Sequence, residues 1–303
     1  MIAVLVVNWN DEAASIRALR SVPATEKVLP VLVDNGSDVD PTEAVRDASV
    51  GARIERLKAN RGYGAACNHG VAVAEKFGAT HVLLMNNDAE LEPGALDQLV
   101  AADRDFPGCL LAPVIVYSDM PDRVWSAGGY LEPPYLQNHH IGLGDSLDAH
   151  RLRRRVEWAT GCALWFSVET WRRIGPLDEA FFLYLEDVDW CLRAARVGVE
   201  TWLVPEAIVR HEVSRTTREL SSETLRYYAY RNHFRLAFRH SRGWRRGAVA
   251  FEFAWTVAKI SLRSLFHSSY RHDSWYHART LALRDVALGR WGPAPERVKG
   301  AAA

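Results

Sequence analysis

The sequence has only four cysteines among 303 residues, and no two of them form a CxxC pair. None clusters with histidines at zinc-site spacing, so we expect reduced, mostly buried thiols rather than a cysteine metal site. The chain also lacks a run of roughly 18 uncharged apolar residues, the length of a membrane-spanning helix. Its first residues lack the basic segment of a signal peptide. These absences predict a cytoplasmic protein.

Net charge is absent as well, because 37 Lys and Arg balance 37 Asp and Glu. The overall charge therefore gives no reason to expect a nucleic acid partner. The distribution is uneven, however. Residues 1–220 contain 22 basic and 32 acidic side chains, whereas residues 221–303 contain 15 basic and 5 acidic ones. We therefore expect the two parts of the chain to contact different partners.

The first hundred residues alternate apolar segments of strand length with amphipathic segments of helix length. This alternation is typical of βαβ units and predicts an α/β fold with a mostly parallel sheet. The expected strands of this part are residues 2–8, 28–33, 52–57 and 81–86. From residue 109 shorter strands follow, and the polar stretch 133–155 is either a mobile lid or a solvated loop.

After residue 221 the sequence predicts helices to its end. The polar side chains of the segment 248–266 are spaced 4, 3 and 4 residues apart: Glu252, Thr256, Lys259 and Arg263. They form one narrow stripe, so the rest of this helix is apolar and needs covering. Arg242, Arg245 and Arg246 precede it, a combination that anionic headgroups attract. The segment 242–266 therefore contacts a membrane surface, or it packs on the rest of the chain or on a second subunit.

Two polar segments directly follow apolar strands. Asp34 ends the strand in VLVDNGSD, and a carboxylate at the C-terminal end of a parallel strand points into the crevice where such sheets bind ligands. Asn86 and Asp88 follow the strand LLM, where oxygen ligands for a hard divalent cation can converge. Each segment is also a strong turn signal, so a plain turn is the alternative in both cases.

A glycine-containing segment, NRGYGAACN at 60–68, lies at the start of a predicted helix. Gly62 and Gly64 can let backbone N–H groups approach a phosphate there. The segment does not fit the GxGxxG pattern of dinucleotide-binding proteins because residue 67 is Cys. A tight turn therefore explains the glycines equally well.

Three carboxylates, Glu186, Asp187 and Asp189, lie among Phe, Leu, Tyr and Trp. Aromatic surroundings raise the pKa of a carboxylate toward a useful base strength and exclude water from it. The alternative is a group of acids that stabilises the start of a helix. His211 follows an apolar strand and by itself indicates little.

Taken together and in this order, the segments resemble glycosyltransferase family 2 of the GT-A fold, in its rhamnosyltransferase-like and galactofuranosyltransferase-like branch. The similarity extends from about residue 2 to 240 and includes VVNWN, VDNGSD, NRGYGAACNHG, NND in place of DxD, FFLYLEDVDW and YYAYRN. The resemblance implies a GT-A catalytic domain at 1–220, a mostly parallel sheet flanked by helices. A basic helical region at 221–303 would follow it.

The resemblance also implies an inverting transferase that uses a nucleotide-diphosphate sugar. The residues that would contact this donor are Asn8, Asp34, Asn60, Gly62, Gly64, Asn68, Asn86 and Asp88. Asp88 and His211 would hold Mg²⁺ or Mn²⁺, although Asn86 replaces an Asp of many members and removes one carboxylate. Asp187 would be the general base, and Glu186 and Asp189 would support the acceptor pocket.

The implied donor is a dTDP- or UDP-sugar, with rhamnose as the expected sugar. The implied acceptor is a hydroxyl of a glycan or polyprenyl-diphosphate-linked sugar in cell-envelope polysaccharide synthesis, at the inner face of the plasma membrane. Two alternatives remain: transfer to a soluble natural-product acceptor, and a non-catalytic sugar-nucleotide-binding scaffold. A soluble acceptor leaves the basic C-terminal region unexplained, and only Asn86 favours the scaffold. The sequence leaves a homo-oligomer open.

Overall fold

A computed structural model describes residues 1–48, 51–212, 222–266 and 274–298 of the chain. The strands are β1 (Ile2–Asn8), β2 (Val28–Asp34), β3 (Arg53–Arg56), β4 (His81–Asn86), β5 (Ala89–Leu91), β6 (Leu110–Tyr117), β7 (Val124–Ser126), β8 (Gly129–Glu132), β9 (Gln137–His140), β10 (Arg154–Val156), β11 (Ala163–Ser167) and β12 (Thr201–His211). The helices are α1 (Glu12–Arg20), α2 (Thr42–Asp47), α3 (Tyr63–Lys76), α4 (Ala95–Asp105), α5 (Val168–Ile174), α6 (Glu186–Arg196), α7 (Ser222–His240), α8 (Trp244–Phe266) and α9 (Ser274–Ala287).

Ten of the strands form one sheet with the order β10-β12-β6-β11-β4-β1-β2-β3, in which β5 pairs with β12 and β7 with β6. Strands β1, β2, β3, β4, β6 and β12 run in the same direction. Helices α1, α3, α4 and α5 pack against its strands. The predicted α/β fold with a mostly parallel sheet and a helical C-terminal extension is confirmed.

Apolar side chains explain why the central strands form. In β1 the residues from Ala3 to Val6 are all fully buried, as expected for a strand that is covered on both faces. Helix α3 packs closely on this strand at Gly70, where an added Cβ would lie 2.2 Å from Leu5 Cδ1. Glycine at this position therefore lets the helix approach the sheet.

The polar stretch 133–155, predicted as a lid or a solvated loop, contains regular structure. Strand β9 pairs with β8 in a separate two-stranded sheet, and β10 pairs with β12 at the edge of the large sheet. A 3-10 turn at Leu147–His150 lies between them. The sequence does not reveal these short strands because they are polar: no side chain of β9 is fully buried, and only one of β10 is.

The chain divides into two compact units. The first comprises Met1–Tyr130, His139–Glu179 and Asp187–Val213. The second comprises Leu131–Asn138, Ala180–Glu186 and Ser214–Ala303. The predicted domain boundary between residues 220 and 221 lies outside the described residues, so it stays a prediction.

Within the second unit, α7, α8 and α9 pack on one another. Val249 and Ile260 of α8 are buried in a cluster with Phe234 of α7 and Leu283 of α9. The rest of α8 is only partly covered by the described residues: five large apolar side chains are exposed, namely Trp244, Phe251, Trp255, Val257 and Leu262. No helix in the described part of the chain is both long and apolar enough to cross a membrane.

Candidate active site

Polar residues from three neighbouring strands lie at one edge of the sheet. Strands β1, β2 and β4 are parallel, with Asn8 opposite Asp34 and Val7 opposite Asn86. The carboxyl ends of parallel strands form the edge at which such sheets bind ligands. The structure therefore brings together Asn8, Asp34 and Asn86, which the sequence places 26 and 52 residues apart.

Asp34 is fully buried and heavily hydrogen-bonded. Its carboxylate accepts hydrogen bonds from Asn8 Nδ2 at 2.9 Å, from Arg56 Nε at 3.2 Å and from the Ser37 hydroxyl. Asn8 in turn accepts a hydrogen bond from the Ser15 hydroxyl at 2.7 Å. Sequence reasoning missed Ser37 and Arg56. Arg56 comes from the neighbouring strand β3, and no spacing pattern reveals such a partner.

The glycine-containing segment lies beside this edge. Asn35 donates to Asn60 Oδ1 at 3.1 Å, and the same oxygen accepts the N–H of Gly62 at 2.9 Å. Gly62 has φ 90° and directly precedes α3, and Gly64 is buried in the first turn of that helix. Asn68, by contrast, bonds both backbone groups of Leu177 and donates to Glu179, so its amide joins α3 to another segment.

Asp88 and His211 meet because β5 pairs antiparallel with β12. The pairing sets His211 opposite Ala89, and Glu212 N–H donates to Asp88 O at 2.8 Å. The two side chains then lie 3.1 Å apart, from Asp88 Oδ1 to His211 Nε2. Both are almost fully buried, and neither Asp88 Oδ1 nor His211 Nδ1 has a hydrogen bond of good geometry.

These two side chains fit a divalent cation. Two ligand atoms that each lie about 2.1 Å from one cation, at right angles, are about 3 Å apart, close to the observed separation. The two side chains form an ion pair when His211 is protonated, so a bound cation would take the place of the His211 proton beside the Asp88 carboxylate. No group of three His, Cys, Asp or Glu side chains in the described part of the chain is arranged for metal binding. A cation here would take its remaining ligands from a bound molecule or from water.

Aromatic and sulfur groups surround His211. Its ring contacts Trp125 edge-on at 4.5 Å between ring centroids, and Trp125 also contacts His140 at 4.7 Å. Burial lowers the pKa of His211, but Cys162 and Asp88 outweigh it and raise this pKa to about 10. Burial and the neighbouring His211 lower the pKa of His140 to about 4, so His140 is neutral at neutral pH. Sequence reasoning missed Trp125 and His140, which are far from His211 in the chain.

Asp187 lies in the first turn of α6, and both of its carboxylate oxygens are engaged. Gly161 N–H donates to Oδ2 and Val188 N–H donates to Oδ1, each at 2.7 Å. Burial raises the pKa of Asp187, against these hydrogen bonds, which lower it. Gly161 allows a close approach, because an added Cβ would lie 3.1 Å from the Tyr63 ring and 3.6 Å from Asp187 Cβ.

The other two acids of the cluster have different surroundings. Asp189 is fully buried and accepts a hydrogen bond from Arg193 Nε at 2.8 Å. Arg193 also donates to the carbonyls of Ile174 and Pro176, so the pair fastens α6 to the end of α5. Glu186 is buried at the start of α6. Of the three acids, only Asp187 is partly exposed.

One dipeptide connects the separate groups. Gly161 N–H binds Asp187, while Cys162 O accepts the N–H of Asn86 at 2.9 Å. The Cys162 side chain also interacts with His211. Gly161 and Cys162 thus join the acidic helix, the end of β4 and the Asp88–His211 pair within the first unit. The residue types here are suited to cation binding and to proton acceptance in one place.

The sequence model of the family described as "Glycosyltransferase like family 2" matches residues 1–232. The chain belongs to this family of glycosyltransferases. The family assignment agrees with the resemblance of the sequence motifs, all of which lie within the matched residues.

Curated relatives include two rhamnosyltransferases. The chain is 28% identical over 299 residues to the N-acetylglucosaminyl-diphospho-decaprenol L-rhamnosyltransferase of Mycobacterium tuberculosis, covering 90% of this chain and 95% of that protein. It is 21% identical over 239 residues to the dTDP-rhamnosyl transferase RfbF of Shigella flexneri, covering 77% and 78%.

Solved structures show the same fold. A structure of GalNAc-T7 with UDP, GalNAc and Mn²⁺ matches with a TM-score of 0.58 at 14% identity, covering 88% of this chain and 58% of that one. Residues 1–349 of TarS from S. aureus match with a TM-score of 0.53 at 14% identity, covering 95% and 92%. At this identity the similarity shows the fold alone, which is the GT-A glycosyltransferase fold.

Proposed function

We propose that this family member is an inverting transferase that moves a sugar from a nucleotide diphosphate to an acceptor hydroxyl, with Asp187 as the general base. The observation that carries the proposal is the Gly161–Cys162 dipeptide. It fastens the candidate base to the end of β4 and to the Asp88–His211 pair. A proton acceptor and a diphosphate site are the two elements that such a reaction needs close together.

The chemistry follows from these positions. The acceptor oxygen attacks the anomeric carbon from the face opposite the diphosphate, and its proton passes to a carboxylate oxygen of Asp187. The new carbon–oxygen bond forms as the bond to the diphosphate oxygen breaks, so the configuration inverts. The N–H groups of Gly161 and Val188 fix the carboxylate before the reaction. Its raised pKa makes it a better proton acceptor than an ordinary Asp.

Asp88 and His211 would hold the divalent cation, Mg²⁺ or Mn²⁺. When bound, such a cation neutralises the charge that grows on the leaving diphosphate. The donor contacts would come from the strand-end residues and from the segment 60–68 at the start of α3: Asn8, Asp34, Asn60, Gly62, Gly64, Asn68, Asn86 and Asp88.

For the donor we propose a dTDP-sugar, with rhamnose as the sugar, because the two named relatives are rhamnosyltransferases and one of them is named for dTDP. UDP-galactofuranose and other UDP-sugars are the competing donors. A thermal-shift panel of sugar nucleotides, with and without Mn²⁺, ranks them directly because a ligand stabilises by RT ln(1 + [L]/Kd).

Asp34→Ala should weaken nucleotide binding by about 1.5–3 kcal/mol, the range for a hydrogen bond to a charged group. The same change removes the acceptor of Asn8 and Arg56, so stability should also fall. Calorimetric titration with dTDP, UDP and GDP measures the affinity, and a thermal melt measures the stability. Unchanged dTDP and UDP affinities in the variant, or tightest binding of GDP by the wild type, would refute the base-binding role.

For the acceptor we propose a polyprenyl-diphosphate-linked sugar in cell-envelope glycan synthesis. The name of the Mycobacterium tuberculosis relative specifies such a lipid-linked acceptor, and that relative aligns over 90% of this chain. In this proposal the catalytic domain comprises residues 1–220, and the basic region 221–303 lies at the inner face of the plasma membrane. The 15 basic side chains of the second region match the negative charge of that surface.

Helix α8 has the features of a membrane-contacting surface. Four apolar side chains at positions 244, 251, 255 and 262 recur at spacings of 7, 4 and 7, so they share one face. Trp244 and Phe251 are 71% and 69% exposed. Arg245 lies over the Trp244 ring at 5.9 Å and Lys259 over the Trp255 ring at 5.6 Å. Exposed tryptophans flanked by cations are typical of helices that lie in a lipid headgroup layer.

The chain should therefore float with anionic vesicles at low salt and detach at high salt. A double variant, Trp244→Ser with Phe251→Ser, should lose most of this binding in a liposome flotation assay. Leu152→Ser is the matched control, because Leu152 is 80% exposed but lies outside α8. If the wild type fails to float and instead sediments as a dimer that the double variant disrupts, this face is an interface between two copies.

Two other functions predict different results. A transferase for a soluble natural-product acceptor would need no vesicle binding, so its activity would not respond to anionic lipid. A non-catalytic scaffold would bind a sugar nucleotide without turning it over. Incubation of the chain with donor alone, and then with donor and acceptor, separates the scaffold from both transferases.

A further inference from the structure

The short loop before α6 has an unusual backbone. Phe182, Tyr184 and Leu185 have φ values of 66°, 69° and 70°, in the left-handed region that side chains other than glycine rarely adopt. The segment contains no glycine to relieve this strain. Three strained residues within four positions persist only where surrounding contacts hold them. The loop ends at α6, whose second residue is Asp187.

Two consecutive residues of α7 supply these contacts. Asn232 Nδ2 donates to the carbonyls of Phe181, Leu183 and Tyr184 at 3.0, 2.7 and 2.9 Å. Arg231 Nη2 donates to Phe181 O at 2.7 Å, and its Nη1 donates to Gly292 O at 2.6 Å. All of these residues belong to the second unit. Arg231 and Asn232 are the RN of the motif YYAYRN, to which no role has so far been assigned.

The pair is buried, and its own contacts keep it in one arrangement. Arg231 is 1% exposed and Asn232 is 0% exposed. Arg231 Nε donates to Asn232 Oδ1 at 3.0 Å, which orients the amide so that its Nδ2 faces the loop carbonyls. The rings of Tyr227 and Tyr228 lie 5.3 and 5.0 Å from the guanidinium carbon. Burying a guanidinium costs free energy unless carbonyl oxygens and aromatic rings surround it. The Arg231 guanidinium therefore stays bound to these carbonyls.

We infer that Arg231 and Asn232 are positioning residues that hold the strained loop 181–185 and thereby fix the start of the helix that carries the base. The inference rests on the proposed function of Asp187. The loop carbonyls accept hydrogen bonds from Arg231 and Asn232, so the backbone that leads into α6 is held in one conformation. Loss of the pair would let the loop relax and would shift Asp187 along the continuous chain. Small displacements of a catalytic group can lower a rate by as much as 10²-fold.

The test combines steady-state kinetics with amide hydrogen exchange. Asn232→Ala and Arg231→Lys should each lower kcat for transfer at least 10-fold while the donor KM changes less than twofold. Exchange of the amides of residues 181–187 should become faster in both variants. Thr224→Val is the matched control. It removes a buried hydrogen bond from α7 to Val298 O at 2.9 Å and leaves the loop carbonyls bonded, so it should change neither readout.

The outcomes distinguish this inference from the proposed function. If Asp187→Asn is inactive, and Asn232→Ala and Arg231→Lys both keep a kcat within twofold of the wild type, the positioning role is overturned while Asp187 remains the base. A fall in kcat without faster exchange in the loop would also overturn it, because the effect would not pass through residues 181–185. Wild-type transfer by Asp187→Asn would overturn the base and the inference together. Arg231→Lys retains the charge, so it gives a result even if Asn232→Ala does not fold.

Discussion

Replacing Asp187 with Asn should lower transfer at least 10²-fold, the typical effect of removing an acid–base group. The amide keeps the shape and can still accept the N–H of Gly161 or Val188, but it cannot take the acceptor proton. Donor affinity should change little, because the proposed donor contacts lie at the strand ends, in the segment 60–68 and on Asp88. Initial rates with saturating donor, measured beside calorimetric donor binding, separate the two effects.

The neighbouring acids are the matched controls. Glu186→Gln and Asp189→Asn should retain far more transfer than Asp187→Asn. Asp189→Asn should instead lower stability by about 3 kcal/mol, because it breaks a buried ion pair with Arg193. If Asp187→Asn transfers at nearly the wild-type rate and the transfer rate of Glu186→Gln or Asp189→Asn falls sharply instead, that neighbouring acid is the base.

The pH dependence of kcat gives an independent check. Burial raises the pKa of Asp187 above its ordinary value of 3.8. The base works only when it is deprotonated, so kcat should fall as the pH drops through this raised pKa and should level off above it. The fall should therefore occur at a higher pH than an ordinary aspartate gives. The residual transfer of Asp187→Asn should lack this acid limb.

The sheet was predictable because its strands are long and apolar. In β1 and β4 nearly every side chain is buried, so an uninterrupted apolar segment marks each strand in the sequence. Strands β9 and β10 were missed because they are short, polar and at an edge or in a small sheet. Local sequence carries no signal for such strands, whose pairing is decided by the partner strand.

The strand-end pattern in the sequence indicates Asp34 and Asp88 as candidate site residues, because each follows an apolar segment and the parallel topology gathers strand ends at one edge. His211 was a candidate only through the family resemblance. Their partners were not predictable. Trp125 touches His211 across 86 positions of sequence, and Arg56 reaches Asp34 from another strand. Only the fold shows that the Asp34 carboxylate already accepts several hydrogen bonds.

Helix α8 shows what a hydrophobic pattern leaves open. Its narrow polar stripe indicates that the remaining surface needs covering, by the rest of the chain, by a second subunit or by a membrane surface. In the structure Val249 and Ile260 are covered by α7 and α9, whereas Trp244 and Phe251 are exposed. Hydrophobic periodicity identifies an apolar face but not the partner that buries it. The partner has to be found by binding experiments such as vesicle flotation.

Removal of divalent cations with excess EDTA should abolish transfer, and added Mg²⁺ or Mn²⁺ should restore it. The reason is electrostatic: Asp88 is a buried carboxylate, and a diphosphate beside it would be repelled unless a cation lies between them. His211 lies 3.1 Å from Asp88 and would supply the second ligand. In the described part of the chain, no third His, Cys, Asp or Glu side chain completes this metal site. Tight metal binding should therefore require the nucleotide as well.

His211→Ala should raise the Mn²⁺ concentration that half-activates transfer about 10- to 100-fold, the usual cost of weakening a metal site. Direct titration of Mn²⁺ in the presence of dTDP should show the same shift, so the readout does not depend on activity. His150→Ala is the matched control, because His150 is also buried and lies 3.0 Å from an aspartate, Asp145. A wild type that stays fully active in EDTA, or equal shifts in both variants, would rule out a cation held by Asp88 and His211.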